Sequence, residues 1–196
     1  MSFSPAAARN AAPIADALTP IFGAGGALLE IGSGTGQHAQ YFAERFPALT
    51  WQPSDLAPNL PHLEAVVREA ALPNLQTPIA FDVIADAWPP GDLDVIYTAN
   101  TFHIMDERGW PRVLEGASAH LRDGGHLCVY GPMRYRAHAL EASNAAFDAA
   151  LKEMDPSRGI RCADTIIERA AALGLTLLED LAMPANNRTL IFRRDR

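Results

Sequence analysis

Stretches in which apolar residues recur every three to four positions alternate along this chain with short, nearly continuous apolar runs rich in Leu, Ile and Val. The first pattern predicts amphipathic helices and the second buried strands, because a helix presents its side chains with a period of 3.6 residues whereas a strand covered on both faces is apolar at successive positions. A leading helix over 6–22 thus precedes a strand over 27–31, and a helix over 36–46 leads to a second strand over 49–55. A helix over 60–71 and a strand over 77–81 follow. After them come a fourth strand over 94–98, a helix over 110–121 stopped by Asp123-Gly124-Gly125, and a fifth strand over 126–130. Beyond a loop over 131–140, helices over 141–154 and 164–173 precede strands over 176–183 and 188–193. Pro184-Ala185-Asn186-Asn187 joins that last pair and has the composition of a hairpin turn with positive φ. The expected fold is α/β and doubly wound, with a mostly parallel seven-stranded sheet ending in a C-terminal antiparallel hairpin. At 196 residues, a single domain over 1–196 is expected.

One junction carries more chemical information than the rest. Leu28-Leu29-Glu30-Ile31-Gly32-Ser33-Gly34-Thr35-Gly36-Gln37 puts a glycine-rich turn directly after the first strand and before a helix. Alternate glycines let the backbone turn sharply and lie against a ligand with no side chain between them. The spacing is not that of a dinucleotide fingerprint, because Gln37 stands where G-x-G-x-x-G needs its third glycine. Glu30, two residues before the first glycine, is a poor neighbour for a diphosphate and a better one for a cation. A P-loop is excluded because G-x-x-x-x-G-K-[ST] does not occur and Lys152 is the sole lysine.

The pattern E-x-G-x-G-x-G over Glu30 to Gly36 resembles motif I of the class I S-adenosylmethionine (SAM) methyltransferases. The resemblance implies a Rossmann-like fold in which Glu30, Gly32, Ser33, Gly34 and Gly36 surround the methionine part of SAM. It implies a ribose-binding role for Asp55, which closes the second strand, and contacts from Asp82 and Val83 to the adenine. Asp82 alternatively caps the next helix. It also implies a helical lid over 1–25, in which Arg9 would pair with the SAM carboxylate and Asn10 would lie nearby, although Arg9 on a solvated helix face is an equal reading. A narrower resemblance, carried by Ser4-Pro5, Arg9-Asn10, Pro13-Ile14 and Pro184 to Asn187, is to an uncharacterised branch of methyltransferase-like proteins. Ser143 to Asp148 and Arg158 to Arg161 are similar to that branch as well.

The acceptor side is read from the residues that follow the later strands, since ligands of open α/β sheets lie beyond the strands' carboxyl ends. Asn100-Thr101-Phe102-His103 follows the fourth strand. Asn100 is expected to line the methionine end of the cofactor. His103 is a candidate catalytic base and substrate contact, or a packed histidine, and Phe102 could equally belong to the core. Tyr130, closing the fifth strand, either faces substrate with its hydroxyl or packs. Asn186 and Asn187 are substrate-side candidates or plain turn formers.

Charge and composition narrow the partners. A formal net charge of −7 with interspersed signs argues against a nucleic-acid stripe or an anionic membrane surface, and favours a small-molecule acceptor. The six scattered histidines give no metal-ligand spacing, and no G-x-S-x-G elbow is present. Two cysteines without CxxC spacing, no signal-peptide pattern and no membrane-length apolar run lead us to expect a cytoplasmic protein, monomeric or homodimeric. The expected activity is methyl transfer from SAM, with S-adenosylhomocysteine as product, to an oxygen, nitrogen or sulfur atom. The alternatives are a non-catalytic SAM-binding or interaction protein and, less favoured for want of a Y-x-x-x-K pair, an NAD(P)-dependent oxidoreductase.

Overall fold

The computed structural model describes residues 3–195. The fold is mixed α/β with eight strands, mostly parallel and ending in an antiparallel hairpin. The backbone falls into two compact units that divide between Thr98 and Ala99. Among the described residues no helix is long and apolar enough to cross a membrane.

In the first unit, helix α1 (Pro5–Phe22) starts where Ser4 caps it, its Oγ accepting the Ala7 N–H at 3.3 Å, with proline in the first turn. Ala11, Ile14, Ala15, Leu18 and Phe22 form the buried stripe of this helix. Strands β1 (Gly26–Ile31), β2 (Leu49–Asp55), β3 (Ile79–Ala80) and β4 (Leu93–Ala99) follow, with α2 (Gln37–Arg45) and α3 (Leu60–Ala70) among them. Their order is β3-β2-β1-β4, all parallel, with Ile31 paired to both Ser54 and Thr98. This register places Asp55 one residue beyond the level at which β1 ends. Phe22, Phe42, Trp51 and Tyr97 form the aromatic centre of the unit, every pair of rings 5.5–5.7 Å apart and all four rings fully buried. Such largely edge-on clusters add directional attraction to area burial and hold the strands beneath the glycine turn in one arrangement.

The second unit contains α4 (Gly109–His120), β5 (Leu121–Arg134), α5 (Ala142–Met154), β6 (Arg161–Cys162), α6 (Ala163–Ala172), β7 (Leu175–Met183) and β8 (Asn187–Arg194). β8 runs antiparallel to both β5 and β7, and β6 pairs parallel with β5. Ala185 and Asn186, in the hairpin turn, have φ of 58° and 57°, as its composition suggests.

The seven expected strands are present, and among the described residues a two-residue β6 adds to them by pairing with the end of β5 through Met133 and Arg161. Two expectations need correction. β5 extends over 121–134, taking in part of the stretch read as a loop and also Asp123-Gly124-Gly125. Those residues do not stop a helix; the helix ends at His120 and the strand starts immediately, with Gly124 at φ 80° inside it. Second, the connection after Asp82 is a turn and not a helix.

Candidate cofactor loop and acceptor site

The glycine turn is stitched to the end of β2. The N–H groups of Gly32 and Ser33 both donate to the Ser54 carbonyl, at 3.0 and 2.9 Å, and Gly36 N–H closes the turn on the Ser33 carbonyl. Gly32, Gly34 and Gly36 all have left-handed φ, at 75°, 55° and 75°. Two of them differ in a way their spacing does not reveal. A Cβ on Gly36 would stand 2.9 Å from Leu63 Cδ1 and 3.0 Å from Val66 Cγ1, so this glycine lets α3 pack. A Cβ on Gly34 would meet nothing within 4 Å, so here the bare backbone faces open space where a ligand can approach.

Glu30 is buried, at 2% exposure, and its Oε2 accepts two hydrogen bonds, from Ser33 Oγ at 2.8 Å and Trp51 Nε1 at 2.9 Å. Burial pushes its carboxyl up to about 7, against the lowering effect of those two donors and with a further push from Asp55. Glu30 therefore shapes the turn from below, through Ser33. Asp55 is also largely buried, its Oδ2 accepting the Gly34 N–H at 2.6 Å and its Oδ1 the Leu56 N–H and Asn59 Nδ2, both at 2.7 Å. A carboxylate has about four acceptor positions, which leaves Oδ2 room for a further donor. Leu56, next to it, is half exposed. Asp82 Oδ1 accepts the Ile84 N–H at 2.9 Å and caps a turn, and Val83 is nearly buried.

Arg9 lies on the exposed side of α1, whereas Asn10 is buried and its Oδ1 meets His38 Nε2 at 2.7 Å. His38 Nδ1 meets the Tyr97 hydroxyl at 3.2 Å. Burial holds this imidazole down to about 4, so it is neutral: Nε2 donates to Asn10 and Nδ1 accepts from Tyr97. Gln37, which departs from the dinucleotide pattern, holds the start of α1. Its Oε1 accepts the Ser4 N–H at 2.5 Å and the Thr35 hydroxyl at 3.0 Å, and its Nε2 donates to the Ser4 carbonyl at 3.3 Å.

In the second unit Asn100 takes a left-handed φ of 56°, and its N–H donates to the Tyr130 carbonyl at 2.8 Å. Among non-glycine residues asparagine tolerates this conformation best. Tyr130 is 2% exposed within β5. His103 is 5% exposed, its ring 5.3 Å edge-on from Phe147, and its Nδ1 lies 3.7 Å from the point a Cβ on Gly131 would occupy. Burial, with Arg161 adding to it, lowers its pKa to about 4, leaving a neutral imidazole at physiological pH. Ile104 and Phe147 expose apolar surface beside and against it. The hairpin turn reaches α5 too. Asn144 Nδ2 donates to the Asn186 carbonyl at 3.1 Å and Asn186 Nδ2 to Ser143 Oγ at 3.4 Å, while Asn187 Nδ2 turns back to the Pro184 carbonyl at 3.0 Å. Asn144, Phe147 and Asp148 fall on one face of α5 at i, i+3 and i+4, and their spacing was a signal available in the sequence.

A parallel strand order of β3-β2-β1-β4, with a glycine turn after β1 and an acid closing β2, is a Rossmann-like arrangement. Solved structures agree on the fold. An O-methyltransferase family protein from Burkholderia thailandensis superposes with a TM-score of 0.83 at 19% identity, over 97% of this chain and 57% of its own. Mitomycin 7-O-methyltransferase gives 0.83 at 18%, over 96% and 54%. Human N-acetylserotonin methyltransferase in complex with SAM gives 0.79 at 13%, over 97% and 53%. The chain thus spans little more than half the length of these structures. It belongs to the family described as "Protein of unknown function (DUF938)", whose profile matches residues 1–194.

Proposed function

We propose that this protein is a SAM-dependent methyltransferase acting on an oxygen, nitrogen or sulfur atom of a small molecule. The observation that carries this reading is the turn after β1, where Gly34 offers bare left-handed backbone to open space while its N–H is tied to Asp55. These residues fit an adenosyl ligand. Asp55 Oδ2 has acceptor capacity left for a ribose hydroxyl, Leu56 presents apolar surface suited to a base, and Asp82 and Val83 follow β3 at the position for the adenine edge. Asn10 and Glu30 support this site by fixing His38 and Ser33, and Arg9, exposed on α1, would meet a carboxylate.

SAM, when bound, supplies a methyl group already activated by the sulfonium charge: the acceptor atom bonds to the methyl carbon as the carbon–sulfur bond breaks and its electron pair returns to sulfur. His103 holds a neutral imidazole that takes the proton the acceptor loses, becoming imidazolium as the acceptor is methylated. Phe147 and Ile104 give the acceptor an apolar wall. Asn100 and Tyr130 frame the same loop, and the Asn186–Asn187 turn bounds the acceptor side through α5.

Calorimetric titration with SAM, S-adenosylhomocysteine and NADH tests the cofactor assignment. Binding of both adenosyl ligands without NADH is expected, and binding of NADH alone refutes it. Methyl transfer from labelled SAM to a panel of phenols, amines and thiols tests the reaction; SAM binding with no transfer to any class would favour a non-catalytic SAM-binding role.

A further inference from the structure

Arg158-Gly159-Ile160-Arg161 has no part in the reading above, yet its contacts converge on the loop that carries His103. Arg161 Nε donates to the Phe102 carbonyl at 2.9 Å, and its Nη2 to the carbonyls of Met105 and Ser157, both at 2.8 Å. Gly159 N–H donates to the carbonyl of His103 itself at 3.0 Å. One guanidinium and one amide therefore pin the backbone before, at and after the histidine. The segment is in turn held to α5, because Ile160 N–H donates to Asp148 Oδ1 at 2.7 Å and Lys152 Nζ meets the other oxygen of Asp148 at 2.5 Å. Only glycine fits at 159: with φ at 144°, a Cβ there would stand 2.9 Å from both Asp148 Oδ1 and Lys152 Cε. On the same helix, next to Asp148, Phe147 sets its ring against the imidazole.

We infer that residues 157–161 are the positioning element for His103, with Arg161 and Gly159 fixing the loop on which the imidazole sits and so the place its ring nitrogens occupy. This rests on the reading of His103 as the proton acceptor. Arg161 acts through His103 and is a positioning residue. A lysine cannot take its place, because a single ammonium on a flexible stem cannot reach three carbonyls lying in different directions. The charge of Arg161 also adds to burial in keeping His103 neutral. The other charged groups around this guanidinium are Arg134 on β5, Asp148 on α5, and Asp106 and Glu107 in the loop after His103. Release of the loop hydrates the imidazole, and removal of the guanidinium removes a repelling charge; both move the His103 titration upward.

The test is NMR titration of the full chain with labelled histidines, the His103 signal being identified by its loss in His103→Asn. In the wild type His103 should titrate near 4. In Arg161→Gln the midpoint should rise by about one pH unit or more, with weakened cross-peaks to Phe147. Arg161→Lys, which keeps the charge but not the fork, should fail to restore the wild-type midpoint, and Gly159→Ala should shift it with the guanidinium intact. An unchanged His103 midpoint and unchanged Phe147 cross-peaks in a folded Arg161→Gln protein would overturn the inference. If that variant does not fold, the same readings on Arg161→Lys and Gly159→Ala decide it. SAM affinity is measured on the same samples. Loss of SAM binding by the wild type would refute the methyl-transfer reading while leaving the His103 titrations to judge the positioning role.

Discussion

Glu30→Gln isolates the cost of holding a carboxylate beneath the glycine turn. Both donors to Glu30, Ser33 Oγ and Trp51 Nε1, converge on the same oxygen, so a glutamine with its carbonyl oxygen at that point keeps both hydrogen bonds. What changes is the titration. The folded-state pKa is about 7 against an ordinary 4.5, so the folded protein binds this proton more tightly than the unfolded chain does. The wild type carries no penalty below about 4.5. It loses stability as pH rises through the interval, and above 7 it carries the full cost, about 3 kcal/mol at 1.36 kcal/mol per unit. Glutamine does not titrate. Urea unfolding of both proteins at pH 5 and pH 8 should therefore give a variant-minus-wild-type difference that moves by about 2–3 kcal/mol in favour of glutamine at the higher pH. An equal difference at the two pH values would refute the reasoning, since it would mean that Ser33 and Trp51 compensate burial fully and Glu30 is ionised throughout.

Further expectations concern the same loops. Asp55→Ala should weaken SAM binding by about 2 kcal/mol in calorimetry, because it removes a charged acceptor and releases Gly34, and unchanged affinity would refute the ribose assignment. Gly36→Ala should lower unfolding stability by about 1–3 kcal/mol, since its Cβ would collide with Leu63 and Val66 in a left-handed conformation. Gly34→Ala, meeting no neighbour, should cost only about 1 kcal/mol of stability yet impair SAM binding more than Gly36→Ala does, so comparison of thermal melts with titrations separates packing from ligand approach. His103→Ala should abolish or sharply reduce methyl transfer while leaving SAM affinity within about twofold of wild type, and full turnover in the variant would remove His103 as the base.

What the sequence determined by itself is local. The order of helices and strands, the glycine turn after Leu28 to Ile31, the acid at the end of β2 and the positive φ in the Pro184 to Asn187 turn are all written in neighbouring residues, because periodicity, capping and turn chemistry act over a few positions. The structure decided what depends on residues far apart in the chain. Gly34 and Gly36 look alike in sequence, and only α3, folded against the turn, makes Gly36 a packing glycine and leaves Gly34 open. Gln37 finds Ser4 across 33 residues, and Arg161 finds Phe102 across 59. β6 is two residues long and has no pattern of its own; it is a strand because β5 offers it an edge. Asp123-Gly124-Gly125 has the composition of a helix stop but lies inside β5, in line with the residues that pair along β8 from His126 onward, so local composition does not decide its state. Burial, and with it the titration of Glu30, His38 and His103, is a property of everything packed around a side chain, so no local pattern carries it.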